Sequence, residues 1–424
     1  MKKNLLLALV LAGAVGTASA WTTVKLLNTV EGVWDSSATT TMTEVSDGSH
    51  NFFYYILDSS TITDEGGNYY FRIYVSDNGK QFGAWENDFE ILDYKNYGGQ
   101  ENNSNSFKLV TDKSSKYIIS VGYWEENGEE KWHFTATKYY GTGTIFFNNT
   151  NNFSNPYAYV YCTGEARLTG GWPGTQMASN GDGTYSLSDV NIGKGSKIII
   201  SDNGNNQIAD QDISGDLVMD GNGTVASQTV TIGSAGYSTF SSAYPVDFTE
   251  ATGVTAYRAT QITEGTHANM VLLTKVSGKV PAATGLVLQG TANSPVTIPT
   301  TASAESIGDN NLVATVKTTA ITASVGEYYY FLAGDTESTI GFYKITGTEN
   351  SNAGKAYYRT TTELASDPTA PTARASWIFD DGTQGINSVV NAQGSDVVYD
   401  LQGRVAKVAR AGLYIKNGKK VIMK

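Results

Sequence analysis

Ile145-Phe146-Phe147-Asn148-Asn149-Thr150-Asn151-Asn152-Phe153-Ser154-Asn155-Pro156-Tyr157-Ala158-Tyr159-Val160-Tyr161-Cys162 is the stretch that decides how this chain is read. A short apolar strand gives way to an Asn-rich turn, and a second strand follows in which tyrosine recurs at every second position. Successive side chains of a strand point to opposite faces, so Tyr157, Tyr159 and Tyr161 share one side of a sheet. Gly171-Trp172-Pro173-Gly174 comes about a dozen residues later on a Gly/Pro-punctuated loop, placed to fold back beside the tyrosines. Flat aromatic faces on a rigid sheet, with amides nearby, suit a sugar ring. The C–H face of a pyranose lies on the aromatic ring while polar side chains read its hydroxyls.

Downstream come Asn180-Gly181-Asp182-Gly183-Thr184-Tyr185 and the Asn/Gly-rich Ser201-Asp202-Asn203-Gly204-Asn205-Asn206-Gln207-Ile208-Ala209-Asp210. Taken in order and at these spacings, the segments from about Gly141 to Thr224 resemble the starch-binding carbohydrate-binding modules of family 26. Tyr161 stands where that family often has Trp. The resemblance implies a shallow α-glucan site in which Tyr159 and Tyr161 stack on glucose rings and Trp172 closes the surface at an angle. Tyr157 then extends the surface or packs beneath it, and Asn203 and Gln207 are candidates for hydrogen bonds to sugar hydroxyls. The implied ligand is starch or a maltooligosaccharide.

The whole chain carries 26 Tyr and 45 Gly, is rich in Thr, Ser and Asn, and shows no long amphipathic helical pattern. This composition favours strands and tight turns, and the expected class is all-β, a string of β-sandwich domains with a short C-terminal β tail. Asp and Glu number 41 against 29 Lys and Arg, a net charge of −12 that argues against nucleic-acid and anionic-membrane partners. A single cysteine, Cys162, forbids an intramolecular disulfide, so each domain is expected to stand on its own core.

Residues 1–20 read as a signal peptide: Lys2-Lys3, an apolar core from Leu5 to Val15, and Ala18-Ser19-Ala20 before Trp21. The expected location is secreted or at the outer cell surface, without membrane insertion. Residues 21–140 read as an N-terminal β-sandwich, with Asn68 to Val75 ending in Asp77-Asn78-Gly79, and with Tyr117 to Trp124 paired to Lys131 to Thr137. It loosely resembles the small sandwich modules of outer-membrane starch-utilisation proteins. Trp34, Trp85, Trp124 and Trp132 are there either as a second sugar platform or as core.

Gly141-Thr142-Gly143 is expected to be a hinge into the module at 141–225. From 226 to 383 a Thr-, Ala- and Val-rich region with short apolar runs reads as a further sandwich, a spacer. Residues 384–424 close the chain with Asp400-Leu401-Gln402-Gly403-Arg404 and Gly412-Leu413-Tyr414-Ile415, which resemble the sorting tails of type IX secretion. That resemblance implies contact with a secretion machinery.

No enzyme is expected. The three histidines, His50, His133 and His267, show neither metal spacing nor a Gly-x-Ser-x-Gly partner. The acidic and Asn-rich runs at 202–212 and 220–224 match turns better than a calcium loop, and no metal or cofactor is implied. The reading is therefore a non-catalytic starch or α-glucan binder. The alternatives are a structural adhesin or surface-layer protein that binds protein partners, with the tyrosines as a stiffening cross-strand ladder, and an accessory subunit of an amylase.

Overall fold

The computed structural model describes residues 23–28, 34, 40–45, 51–60, 67–77, 79–83, 89–90, 95–96, 106–126, 129–162, 166–367, 374–380, 398–399, 412–416 and 419–423. The side chains of 89–90, 95–96, 124–133 and 398 onward are not described. The leading segment 1–20, His50, Trp85, the 400–404 motif and the side chains of Trp124, Trp132 and His133 therefore lie outside the description. The fold is all-β, with no helix among the described residues. The chain forms two compact units, 1–225 and 226–424.

The first unit is built on one long strand, Glu129–Asn148, 20 residues from end to end. Its first half pairs antiparallel with Lys116–Glu126, from Lys116 opposite Tyr139 to Glu126 opposite Glu129. Its second half pairs antiparallel with Thr184–Gly193 and, over Ile145 to Asn148, parallel with Leu217–Asp220. Asn51–Asp58 continues the sheet beyond Lys116–Glu126.

One face of this sheet packs on Val24–Leu27, Asn68–Val75 and Phe107–Val110. Tyr69, Phe71, Ile73 and Val75 alternate inward from Asn68–Val75 with zero exposure, as its sequence pattern predicts. They meet Phe53, Ile119, Val121 and Phe134 from the central sheet, and Phe107 and Phe134 lie 4.8 Å apart centroid to centroid. Trp34 is 36% exposed, with the Arg72 guanidinium 5.0 Å from its ring centroid.

The other face of the same sheet carries the module. A four-stranded sheet, ordered Thr175–Gln176, Pro156–Tyr161, Lys197–Asp202 and Gln211–Asp212, lies over it. Between them, Ala158, Val160, Ile198 and Ile200 pack with Ile145, Phe147, Ile192 and Met219. Ile118, Tyr54 and Ile56, which belong to the N-terminal strands, join this same core. The expectation that each domain stands on its own core fails at this point, because the N-terminal strands and the module share a sheet and a core.

The expected hinge at Gly141-Thr142-Gly143 is likewise the middle of the long strand. The ladder with Thr184–Gly193 is irregular between Tyr139 and Gly141 and again between Gly143 and Ile145. Gly141 has φ +112°, and a Cβ on Gly143 would come within 2.6 Å of Ile192 Cδ1 and 2.8 Å of the Gly215 backbone. Glycines here serve bulges that let one strand turn from one set of partners to the next.

The second unit is a sandwich of two five-stranded sheets. One is ordered Tyr237–Phe240, Leu286–Gly290, Val254–Gln261, Val271–Val276, Trp377–Phe379. The other is ordered Leu312–Thr315, Lys355–Thr360, Tyr328–Ala333, Gly341–Lys344, Arg374–Ala375. Ala259, Leu273 and Val287 from the first meet Tyr330, Phe342 and Tyr358 from the second, with Trp377 edge-on to Phe342. In the tail, Val398–Tyr399, Gly412–Lys416 and Lys419–Met423 pair as a three-stranded antiparallel sheet.

Candidate functional site

Pro156–Tyr161 alternates as its sequence implies. Pro156, Ala158 and Val160 are buried, while Tyr157, Tyr159 and Tyr161 are half-buried on the opposite face. Across the strand pair, Tyr157 faces Ser201, Tyr159 faces Ile199 and Tyr161 faces Lys197. The Tyr159 and Tyr161 rings lie 5.4 Å apart with only 26° between their planes. Trp172 stands 5.4 Å from Tyr159 at 77° and is 41% exposed. Two stacked rings with nearly parallel planes, and an exposed third ring set edge-on to Tyr159, form a bent aromatic group at the surface.

The Trp172 loop is set down by backbone contacts. Its Trp172–Pro173 bond is cis, and the Gly174 N–H donates to the Gly171 carbonyl at 2.7 Å. Gly174 has φ +93°, and a Cβ there would sit 2.1 Å from the Ala158 carbonyl oxygen. Only a glycine lets the loop lie so close to the tyrosine strand. Thr169 anchors the loop's approach. Its hydroxyl accepts from the Val160 N–H at 2.7 Å and its carbonyl accepts from the Thr175 hydroxyl at 2.8 Å.

On the other flank of the indole is the loop after Lys197–Asp202. Gly204, at φ +82°, leaves only 3.0 Å between a would-be Cβ and Trp172 Nε1. Asp202 Oδ1 accepts from the Asn155 N–H at 2.8 Å, and the Asn203 N–H donates to the Asn155 carbonyl at 3.0 Å. The loop is thus tied to the turn that precedes the tyrosine strand. Asn203 and Gln207 are exposed on this loop, and among the described residues their side-chain amides make no hydrogen bond.

Of the six residues singled out from sequence, Tyr159, Tyr161 and Trp172 form one group, and Asn203 and Gln207 lie on the loop bordering it. Tyr157 shares the face but makes no ring contact with the others among the described residues.

Sequence reading missed the charged border beside Tyr161. Lys197 pairs with Asp210 at 3.2 Å and Asp212 at 3.1 Å, and the Tyr161 hydroxyl donates to Asp210 Oδ2 at 3.4 Å. Burial, and after it the Asp210 charge, raises the Tyr161 pKa above the ordinary phenol value. The neutral, hydrogen-bonding phenol is therefore the working form. The signal was present in the alternation of Lys197–Asp202, but the register placing Lys197 opposite Tyr161 is a tertiary fact.

The acidic runs considered for calcium are occupied with turn and ion-pair contacts. Asp202 caps the Asn155 turn, Asp220 Oδ1 accepts from the Asn222 N–H at 2.7 Å, and Asp210 and Asp212 hold Lys197. Cys162 is buried, and burial pushes its thiol up to about 12, far from a reactive thiolate.

Residues 145–213 match the family model of Starch-binding module 26. The matched segment contains the tyrosine strand, the Trp172 loop, the 180–185 hairpin and the 201–210 loop, and it supports starch binding. No solved structure matches this chain. No helix among the described residues is long and apolar enough to cross a membrane.

Proposed function

We propose that the chain captures α-glucan on the bent surface of Tyr159, Tyr161 and Trp172. The observation that carries this is the 77° angle between Trp172 and Tyr159 inside a segment that matches a starch-binding family. Two rings at an angle suit a curved glucan helix better than a flat chain, with one glucose stacked on the Tyr159–Tyr161 pair and a neighbour against the indole. Asn203 and Gln207 offer amides, and the Tyr161 hydroxyl a polar tip, to the sugar hydroxyls. The surface presents apolar ring faces, and the two carboxylates beside it are engaged with Lys197, which supports capture over chemistry.

A shallow site of this size binds with Kd on the order of 10–100 μM. Useful retention on granules then calls for several sites on one surface. In this reading residues 1–20 direct export and the basic tail serves sorting, so that binding takes place outside the cell. The support for that part is sequence pattern alone.

The test is a pull-down of the full chain on insoluble starch, with calorimetry against maltoheptaose. The wild type should bind, and Trp172→Ala combined with Tyr161→Ala should abolish retention. Retention by the double variant would misplace the site. A wild type that ignores starch, glycogen and maltooligosaccharides would overturn the function and leave the tyrosines as a sheet-stiffening ladder.

A further inference from the structure

The second unit, expected from sequence to be a spacer, holds a cavity of about 310 Å³ between its strands. Its wall includes Tyr237 and Ser238, Phe331, Asn350 and Asn352, and Lys355. That volume is at the low end of small-molecule sites, roughly 300–1,000 Å³, and suits one ring rather than a chain. Half the character of the wall is polar without being acidic. The buried Ser238 hydroxyl is engaged, donating to the Thr239 carbonyl at 3.2 Å, while Asn350 and Asn352 supply amides that make no side-chain hydrogen bond among the described residues, and Tyr237 and Phe331 supply ring surface.

Lys355 is the only cationic side chain of the lining. Its ammonium donates to Ser238 Oγ at 2.7 Å, and no carboxylate pairs with it among the described residues. Burial lowers its pKa, and no acidic neighbour acts to restore it. The Glu337 charge acts instead on the Tyr237 phenol. A half-buried ammonium with one neutral hydrogen-bond acceptor has unspent donor capacity, which an anion in the cavity would satisfy.

We propose that this cavity binds a single carboxylate-bearing sugar ring of the uronic-acid class, with the Lys355 ammonium taking the carboxylate. Asn350 and Asn352 then face the ring hydroxyls, Tyr237 and Phe331 its C–H surface, and Ser238 holds the ammonium in place. The site is separate from the aromatic surface of the first unit, and does not depend on the starch reading.

Calorimetry on the full chain tests it with three probes: D-glucuronate, D-glucose and acetate. Glucuronate should bind at least about tenfold more tightly than either of the others, the discrimination expected of a charge-assisted hydrogen bond in a partly desolvated site. Lys355→Met and Lys355→Gln should each lose that binding while keeping the wild-type maltoheptaose affinity and unfolding midpoint. The wild-type comparison of probes stands even if a variant fails to fold. Equal binding of glucuronate and glucose would overturn the role of Lys355. Acetate binding as tightly as glucuronate would reduce the site to a bare anion contact and overturn the sugar. Glucuronate binding that survives both Lys355 variants, or disappears in Trp172→Ala, would place it elsewhere.

Discussion

The Asn191 side-chain amide donates to the Tyr54 hydroxyl at 3.1 Å, although 137 residues separate them in sequence. Asn191 Oδ1 in turn accepts from the Tyr139 hydroxyl at 3.0 Å. These three side chains join an N-terminal strand, the long strand and a module strand, beside the shared core of Ile118, Ile145 and Ile192.

The segment matching the starch-binding family should therefore not be autonomous. A fragment of residues 141–225 lacks Tyr54, Ile56 and Ile118 and the larger part of the long strand Glu129–Asn148. We expect it to melt without a cooperative transition in thermal circular dichroism, while residues 21–225 unfold cooperatively. In the full chain, Tyr54→Phe should cost about 1 kcal/mol in urea unfolding, the usual worth of a partly buried hydrogen bond. A fragment 141–225 as stable as the whole unit would show the shared core to be dispensable.

Gly174→Ala should separate strain from displacement. At this position the new methyl meets the Ala158 carbonyl, so the Trp172 loop must lift. Maltoheptaose affinity is expected to fall at least about tenfold and stability by about 2 kcal/mol. Gly181→Ala is the control, since Gly181 has φ +88° but nothing within 4 Å of a Cβ. It should cost about 1 kcal/mol of backbone strain and leave affinity unchanged. Equal effects on affinity would mean that loop position does not govern binding.

Both units carry a buried tyrosine whose hydroxyl has no hydrogen-bond partner among the described residues, Tyr69 in the first and Tyr358 in the second. Burial raises both pKa values well above that of an exposed phenol. The folded state then keeps protons that the unfolded chain releases near pH 10, so stability is intact below about pH 10 and declines as pH rises beyond it. Phenolate absorbance should show these two rings ionising only as the chain unfolds. Tyr69→Phe should be neutral or stabilising by up to about 1 kcal/mol, because it removes a buried hydroxyl without a partner, and should soften the alkaline decline. A large loss of stability in Tyr69→Phe would contradict the unpartnered hydroxyl.

The sequence by itself determined the all-β class and the face on which Tyr157, Tyr159 and Tyr161 lie. It also led to the expectation that the Trp172 loop folds back beside them. These are properties of consecutive residues: a period of two fixes which side chains share a face, and Gly and Pro mark where a strand must stop. Only the tertiary structure decided that Gly141 and Gly143 sit at bulges within a strand rather than in a hinge, because glycine permits both and the choice depends on which distant strands pair with it. It also set Lys197 opposite Tyr161 and, among the described residues, left Tyr157 without a contact to the other rings and Lys355 facing a cavity without a counter-charge. Register and shared cores arise from pairings across tens of residues to more than a hundred, and local periodicity is silent about them.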